Sequence, residues 1–323
     1  MKLSKFALSL FMVLLLLMLA ACGGEKNDDS VDTKEPNTTQ EEDTSYTVEN
    51  AMEPITLEKT PEKVVILTNE GTEALLALGV TPVGAVQSWT GDPWYDHIAS
   101  DMEGVEVVGV ESQVNVEAVA ALQPDLIIGN KMRHEDIYEQ LKAIAPTVYA
   151  ETLRGNWKEN FELYAKAVNK EEEGNQILAD YDERIEELKA ELGEDLNKEV
   201  SMVRFMAGDV RIYHKDSFSG VILEQLGFAR PESQNVDDFA EKNVTKERIP
   251  AMDGDVLFYF TYEVGDGEAS ELEKEWIEDP LFKNLEVAKN GQVYKVDDAI
   301  WNTAGGVIAA NLMLDDIETY FLK

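Results

Sequence analysis

An internal echo constrains this chain more than any other feature. "NVEAVAALQPDLII" (115–128) returns as "TKERIPAMDGDVLF" (245–258), with Asp125 and Asp255 at matching places ahead of an apolar run. "EALLALG" and "VILEQLG", closing at Gly79 and Gly227, form a second pair. Around the first copy, "KVVIL" (63–67), "PVGAVQ" (82–87), "DLIIGN" (125–130) and "PTVYAE" (146–151) have the β-branched character of strands. Helical patterns separate them, with Asn115 placed as a cap before Val116 and Glu117. Such alternation predicts a mainly parallel, helix-covered sheet. A second set follows: strands "EVSMVRFM" (199–206) and "DVRIYH" (209–214), helix "FSGVILEQLG", then strands "DVLFYFT" and "QVYKVD".

Between the sets, Phe161, Tyr164, Val168, Ile177, Tyr181, Ile185, Leu188 and Leu192 recur at helical spacing. Gly174 suggests a break, giving a shorter helix and then a long acidic one from about Asn175 to Leu192. The fold class is therefore α/β, with two Rossmann-like lobes over residues 52–155 and 198–303. A linking helical segment (156–197) joins them, and a C-terminal helix (304–323) closes the chain. Open α/β sheets take ligands at the carboxyl ends of their strands, so the cleft between the lobes is the expected site.

The N-terminus speaks to compartment. "MKLSKFALSLFMVLLLLMLAAC" has a basic start, an apolar run from Phe6 to Leu19, and small residues before Cys22. That is a secretory signal over residues 1–21, with an apolar run short for a membrane span. Leu19-Ala20-Ala21-Cys22 resembles the lipobox of bacterial lipoproteins, which implies lipidation of Cys22 and anchoring at the extracytoplasmic face of a membrane. Cys22 is the only cysteine, so the exported part has no disulfide and no thiol nucleophile. Residues 22–51 are acidic and nearly free of large apolar side chains, which predicts a flexible tether.

The chain carries 64 Asp plus Glu against 28 Lys plus Arg, a formal charge of −36. That balance argues against nucleic acid as a partner. Against this background "VRFMAGDVRIYHKDSFSG" (203–220) gathers Arg204, Arg211, His214 and Lys215. Strand alternation puts Arg211 and Tyr213 on one face, and Arg204 with Met206 opposite Val203 and Phe205. In the first lobe "GNKMRHED" follows a strand, which sets Lys131, Arg133 and His134 where that sheet opens. Arg154 divides between ligand contact and a loop role.

Five segments in order resemble one family. They are "EKVVILTNEGTEALLALGVTPVGA", "VNVEAVAALQPDLIIGN", "SFSGVILEQLGF", "DPLFKNLEVAKNGQVYKVD" and "WNTAGGVIAANLMLDDI". Together they are similar to the ABC-importer binding lipoproteins that carry iron–siderophores and cobalamin. The nearest in appearance are Gram-positive receptors for ferric hydroxamate and citrate-hydroxamate siderophores of the schizokinen type. The resemblance runs from about Met52 to the end. It implies the class III periplasmic-binding-protein fold, a monomer, no catalytic residues and no intrinsic cofactor. The ligand would be a ferric siderophore whose own oxygens hold the iron. The partner would be an ABC permease with its ATPase, docked by Glu73 and Glu224, one on the first helix of each lobe.

A chelate of two hydroxamates and an α-hydroxycarboxylate leaves about one net negative charge on exposed oxygens. A guanidinium about 4 Å away gains on the order of 4 kcal/mol in a partly desolvated site. The expected ligand-binding residues are Arg133, Arg204, Arg211, Tyr213, Trp301, Lys131, Trp89 and His214, the aromatics covering methylene spacers. Trp94 and Trp157 suit core packing as well as ligand contact. Several relatives carry an Arg just before the helix at 115–122, where this chain has Gln113, which implies a less anionic ligand. Catecholate, ferric citrate, haem and cobalamin receptors stay open as alternatives. Zinc or manganese receptors need three or four ligands, and the chain has only His97, His134 and His214. An anchored hydrolase would need a nucleophile and a base, whereas Ser219 stands at a helix start without a nucleophile elbow.

Overall fold

The structure, a computed structural model, describes residues 45–322. The signal segment, Cys22 and the tether up to residue 44 lie outside the described residues. The tether ends earlier than its composition suggests. Strand β1 (Tyr46–Val48) pairs with β2 (Ile55–Leu57), and Val48 and Leu57 are buried. Tyr46 ties the hairpin to the linking segment by donating to the Ala167 carbonyl at 3.0 Å.

The first lobe is built on β3 (Val64–Ile66), β4 (Gly84–Gln87), β5 (Glu106–Val110), β6 (Gln113–Val114), β7 (Leu126–Asn130) and β8 (Thr147–Ala150). Their order is β6-β5-β4-β3-β7-β8, parallel except for the β5–β6 pair. Alternation sends Val64, Ile66, Leu126 and Ile128 to a central core and Val65, Ile127 and Tyr149 to an outer one. Both faces are covered, as a parallel sheet requires. Strand β5 was not legible in the sequence, because Glu106 and Gly109 interrupt its apolar run.

The second lobe contains β9 (Val200–Met206), β10 (Asp209–Tyr213), β11 (Ala240–Glu241), β12 (Val256–Tyr262) and β13 (Val293–Lys295), in the order β11-β10-β9-β12-β13. This sheet is mixed: β9, β12 and β13 run parallel. Strand β10 is antiparallel to both neighbours, since Ala207-Gly208 allows only a tight hairpin after β9. Val203, Phe205 and Ile212 fill an outer core, while Val200 and Met202 join the central one. Arg204 continues the inward face of Met202 toward the cleft.

Among the described residues the α-helices of seven residues or more are α1 (Asn69–Ala77), α2 (Val116–Leu122), α3 (Trp157–Ala167), α4 (Glu171–Leu192), α5 (Phe218–Leu226), α6 (Glu268–Ile277) and α7 (Val307–Phe321). Side chains of Thr68, Asn115 and Ser217 cap α1, α2 and α5 by accepting from backbone N–H groups. Gly174 is not a break. It lies inside α4, where a Cβ would come within 2.5 Å of the Ala165 Cβ, so glycine lets α3 and α4 pack closely. The chain reverses instead at Asn169, in the left-handed region at φ +56°. Helix α7 buries Val307, Ala310, Met313, Leu314 and Ile317 against α1, α3, α4 and α5, and so seals the seam between the lobes.

Candidate ligand-binding site

The strands of both sheets end at one cleft of about 360 Å³. Glu70 follows β3, Trp89 follows β4, Glu111 follows β5, Arg133 follows β7 and Arg154 follows β8. From the other lobe come Arg204 and Met206 of β9, Arg211 of β10, Tyr262 of β12, and Phe239 and Lys242 beside β11. The volume suits a small organic ligand, and the lining gathers five cations in a chain of charge −36.

Each arginine is held differently. Arg204 is buried, and its Nε and Nη2 donate to Asp298 at 2.6 and 2.9 Å while Nη1 reaches the Tyr213 hydroxyl at 3.3 Å. Burial pulls its pKa down, but Asp298 and Tyr213 more than offset this and hold it above the ordinary value. The Tyr262 ring covers the guanidinium at 4.9 Å. Arg211 gives its Nε to Asp209 at 2.7 Å, leaving both terminal nitrogens for the cleft. Arg133 rests its Nε 3.4 Å from Glu111, and that carboxylate is itself fixed by the backbone and side-chain nitrogens of Asn69. Arg154 lies over the Phe239 ring at 4.3 Å, with backbone φ +82°, a conformation uncommon for a residue with a Cβ. It makes no ion pair among the described residues, and it spans from the first lobe to the second.

Arg133, Arg204, Arg211 and Trp89 therefore come together on the cleft wall. The other expected ligand residues are corrected. Tyr213 is fully buried between Phe239 and Phe260, and supports Arg204 from behind. Trp301 is fully buried on Phe258, its indole donating to Asp316 at 2.8 Å; the residues after it, Asn302 to Gly305, reach the cleft instead. Lys131 pairs with Glu151 at 3.0 Å, away from the wall. His214 is buried against Asp238. Arg154, Phe239, Lys242 and Tyr262 also line the wall. The signal for Tyr262 was its place at the end of a strand; nothing local marked Phe239 or Lys242.

The remaining histidines are not brought together. His97 bonds Glu73 at 2.6 Å, and His134 lies between the Glu111 carbonyl and the Asn130 N–H. Burial pushes the His134 pKa down. Among the described residues no group of His, Cys, Asp and Glu is arranged to hold a metal ion. Ser217 caps α5, and the buried Ser219 hydroxyl has no hydrogen-bond partner.

Glu73 is corrected as a docking residue. It is fully buried, with one oxygen on His97 and the other accepting from the Ala309 N–H at 2.9 Å. It therefore caps the start of α7 from the first lobe and cannot face a partner. Glu224 is exposed on α5 and pairs with Lys215 at 2.9 Å.

A family model described as periplasmic binding protein matches residues 64–300. The chain is 57% identical over 270 residues to the probable siderophore-binding lipoprotein YfiY of Bacillus subtilis, covering 81% of this chain and 83% of that protein. It is 34% identical to the Fe(3+)-citrate-binding protein YfmC of the same organism, covering 81% of each. Among solved structures, Staphylococcus aureus SirA complexed with staphyloferrin B superposes with a TM-score of 0.79 at 33% identity, over 85% of this chain and 98% of that one.

Proposed function

The chain belongs to the periplasmic binding protein family, whose members capture a substrate and catalyse nothing, and from that premise we propose that it is the ferric-siderophore receptor of an ABC importer. The observation that carries this reading is the cleft itself: cations from both lobes converge on one ligand-sized space, and their carboxylate partners leave guanidinium faces free for anionic oxygens. A hydroxamate or citrate-hydroxamate chelate suits it, with about one net negative charge spread over several oxygens. The Fe(3+)-citrate named for the 34% relative supports a citrate-containing ligand.

The name of the 57% relative also supports a lipid anchor, here on Cys22, at the extracytoplasmic face of the membrane. The monomer would hand its ligand to a permease and ATPase, with exposed Glu224 as a docking contact and Glu73 excluded by burial. The test is iron uptake from ferric schizokinen by cells lacking this protein. Uptake restored by the parent chain supports the role, and undiminished uptake in the deletion strain contradicts it.

A further inference from the structure

Glu70 is the cleft residue whose chemistry the cations do not explain. It stands in the first turn of α1 and is buried, yet it lines the cleft. Both side-chain donors that reach it end on one oxygen: Asn160 Nδ2 at 2.8 Å and the Tyr164 hydroxyl at 3.3 Å, both from α3, contact Oε1. Among the described residues Oε2 takes no hydrogen bond, which leaves it for the cleft. Two carboxylates act on it, within a cleft whose lining also holds Arg133, Arg154, Arg204, Arg211 and Lys242. Glu111 approaches from the loop after β5 and Glu73 from its own helix, while Arg133 spends its Nε on Glu111.

We propose that Glu70 serves the ligand as a neutral carboxylic acid, its Oε2–H donating to an acceptor oxygen of the chelate while Oε1 stays fixed by Asn160 and Tyr164. The inference rests on the ferric-siderophore reading above and assigns a specificity contact within it. The helix start favours an anion at this position. Burial opposes that preference most strongly and, with Glu111 and then Glu73, raises the Glu70 pKa well above the ordinary range against the pull of Asn160 and Tyr164. An ionised Glu70 would repel an anionic chelate. A neutral one offers a donor without adding charge, and so selects ligands that carry an unprotonated oxygen at that point.

Two measurements test this. In the unliganded parent at neutral pH, infrared difference spectroscopy against Glu70→Gln should show a protonated-carboxyl C=O band that the variant lacks. Absence of that band overturns the proposal. Ferric schizokinen is then titrated into the parent, Glu70→Gln and Glu70→Ala from neutral to alkaline pH, with melting curves confirming that each variant is folded. The alanine variant should bind about tenfold more weakly, and glutamine, a donor that cannot ionise, should restore most of that loss. Parent affinity should fall as pH rises through the raised pKa, and the fall should be missing in Glu70→Gln. Equal losses in both variants, or an alkaline fall that persists in Glu70→Gln, contradict the donor role alone. A parent that shows the band but does not bind ferric schizokinen contradicts both this role and the ligand reading beneath it.

Discussion

Arg204 and Arg211 stand directly opposite one another on the antiparallel strands β9 and β10 and share one face of the sheet. Like charges so placed repel, and two separate carboxylates make the arrangement tolerable: Asp298 for Arg204 and Asp209 for Arg211. The buried pair is bidentate and leaves Arg204 little freedom, whereas Arg211 keeps its terminal nitrogens for a ligand.

Their replacements should separate binding from stability. Arg211→Ala should weaken ferric schizokinen binding more than tenfold, about 1.4 kcal/mol or more, with an unliganded melting temperature near that of the parent. Arg204→Ala should cost on the order of 3 kcal/mol of stability even without ligand, because it strands the Asp298 carboxylate in the interior. Adding Asp298→Asn should recover part of that loss. Equal melting temperatures for Arg204→Ala and the parent would show that the buried pair does not support the lobe.

Glu73 and Glu224 should give opposite phenotypes. Glu73→Ala removes the acceptor from the Ala309 N–H and from His97, and should destabilise the protein by about 1–2 kcal/mol. Glu224→Ala should leave ligand binding and melting temperature intact while lowering cellular iron uptake. Normal uptake by Glu224→Ala would remove that residue from docking.

Tryptophan fluorescence can locate the ligand. Among the described residues Trp89 is the tryptophan on the cleft wall, while Trp94, Trp157, Trp276 and Trp301 are buried in packing. Trp89→Phe should therefore abolish most ligand-induced quenching, and Trp301→Phe should leave it in place. The reverse pattern would put the ligand elsewhere.

Two sites link sequence to stability in ways helix propensity does not. Gly174→Ala should destabilise by about 1–3 kcal/mol from overpacking against Ala165, although alanine ordinarily improves a helix interior by about 1 kcal/mol. Glu70 supplies a pH dependence. Its folded pKa lies above the unfolded value of about 4.3, so folding takes up a proton and stability falls as pH rises from there through the folded pKa. Glu70→Gln should flatten that decline in melting curves recorded against pH; an unchanged slope would show that Glu70 does not take up a proton on folding.

The lobes were legible because buried parallel strands such as Leu126–Asn130 leave continuous apolar runs, and the two copies repeat their order. Arg133, Arg204 and Arg211 were legible because strand ends point at the cleft and basic residues are scarce in so acidic a chain. Trp301 and His214 misled for one reason. Proximity in sequence to a cleft-forming turn does not say which way a side chain rotates, and both turn inward to carboxylates. Glu73 looked like an exposed helix carboxylate because the partner that buries it, the start of α7, lies more than two hundred residues away in the chain. Separation along the chain also hid Phe239, whose ring lies under Arg154 of the other lobe, and Lys242, which approaches that same ring.

The central claim is that the two-lobed arginine cleft holds a compact, mildly anionic ferric siderophore. Its most direct test is equilibrium quenching of Trp89 emission by ferric schizokinen, iron-free schizokinen and a ferric triscatecholate, run in parallel on the parent and Arg211→Ala. The expected result is saturable quenching of the parent by ferric schizokinen, far weaker quenching by the other two, and a loss of more than about tenfold in affinity for Arg211→Ala. Equal or tighter binding of the triscatecholate, or an Arg211→Ala curve that overlays the parent, would contradict it.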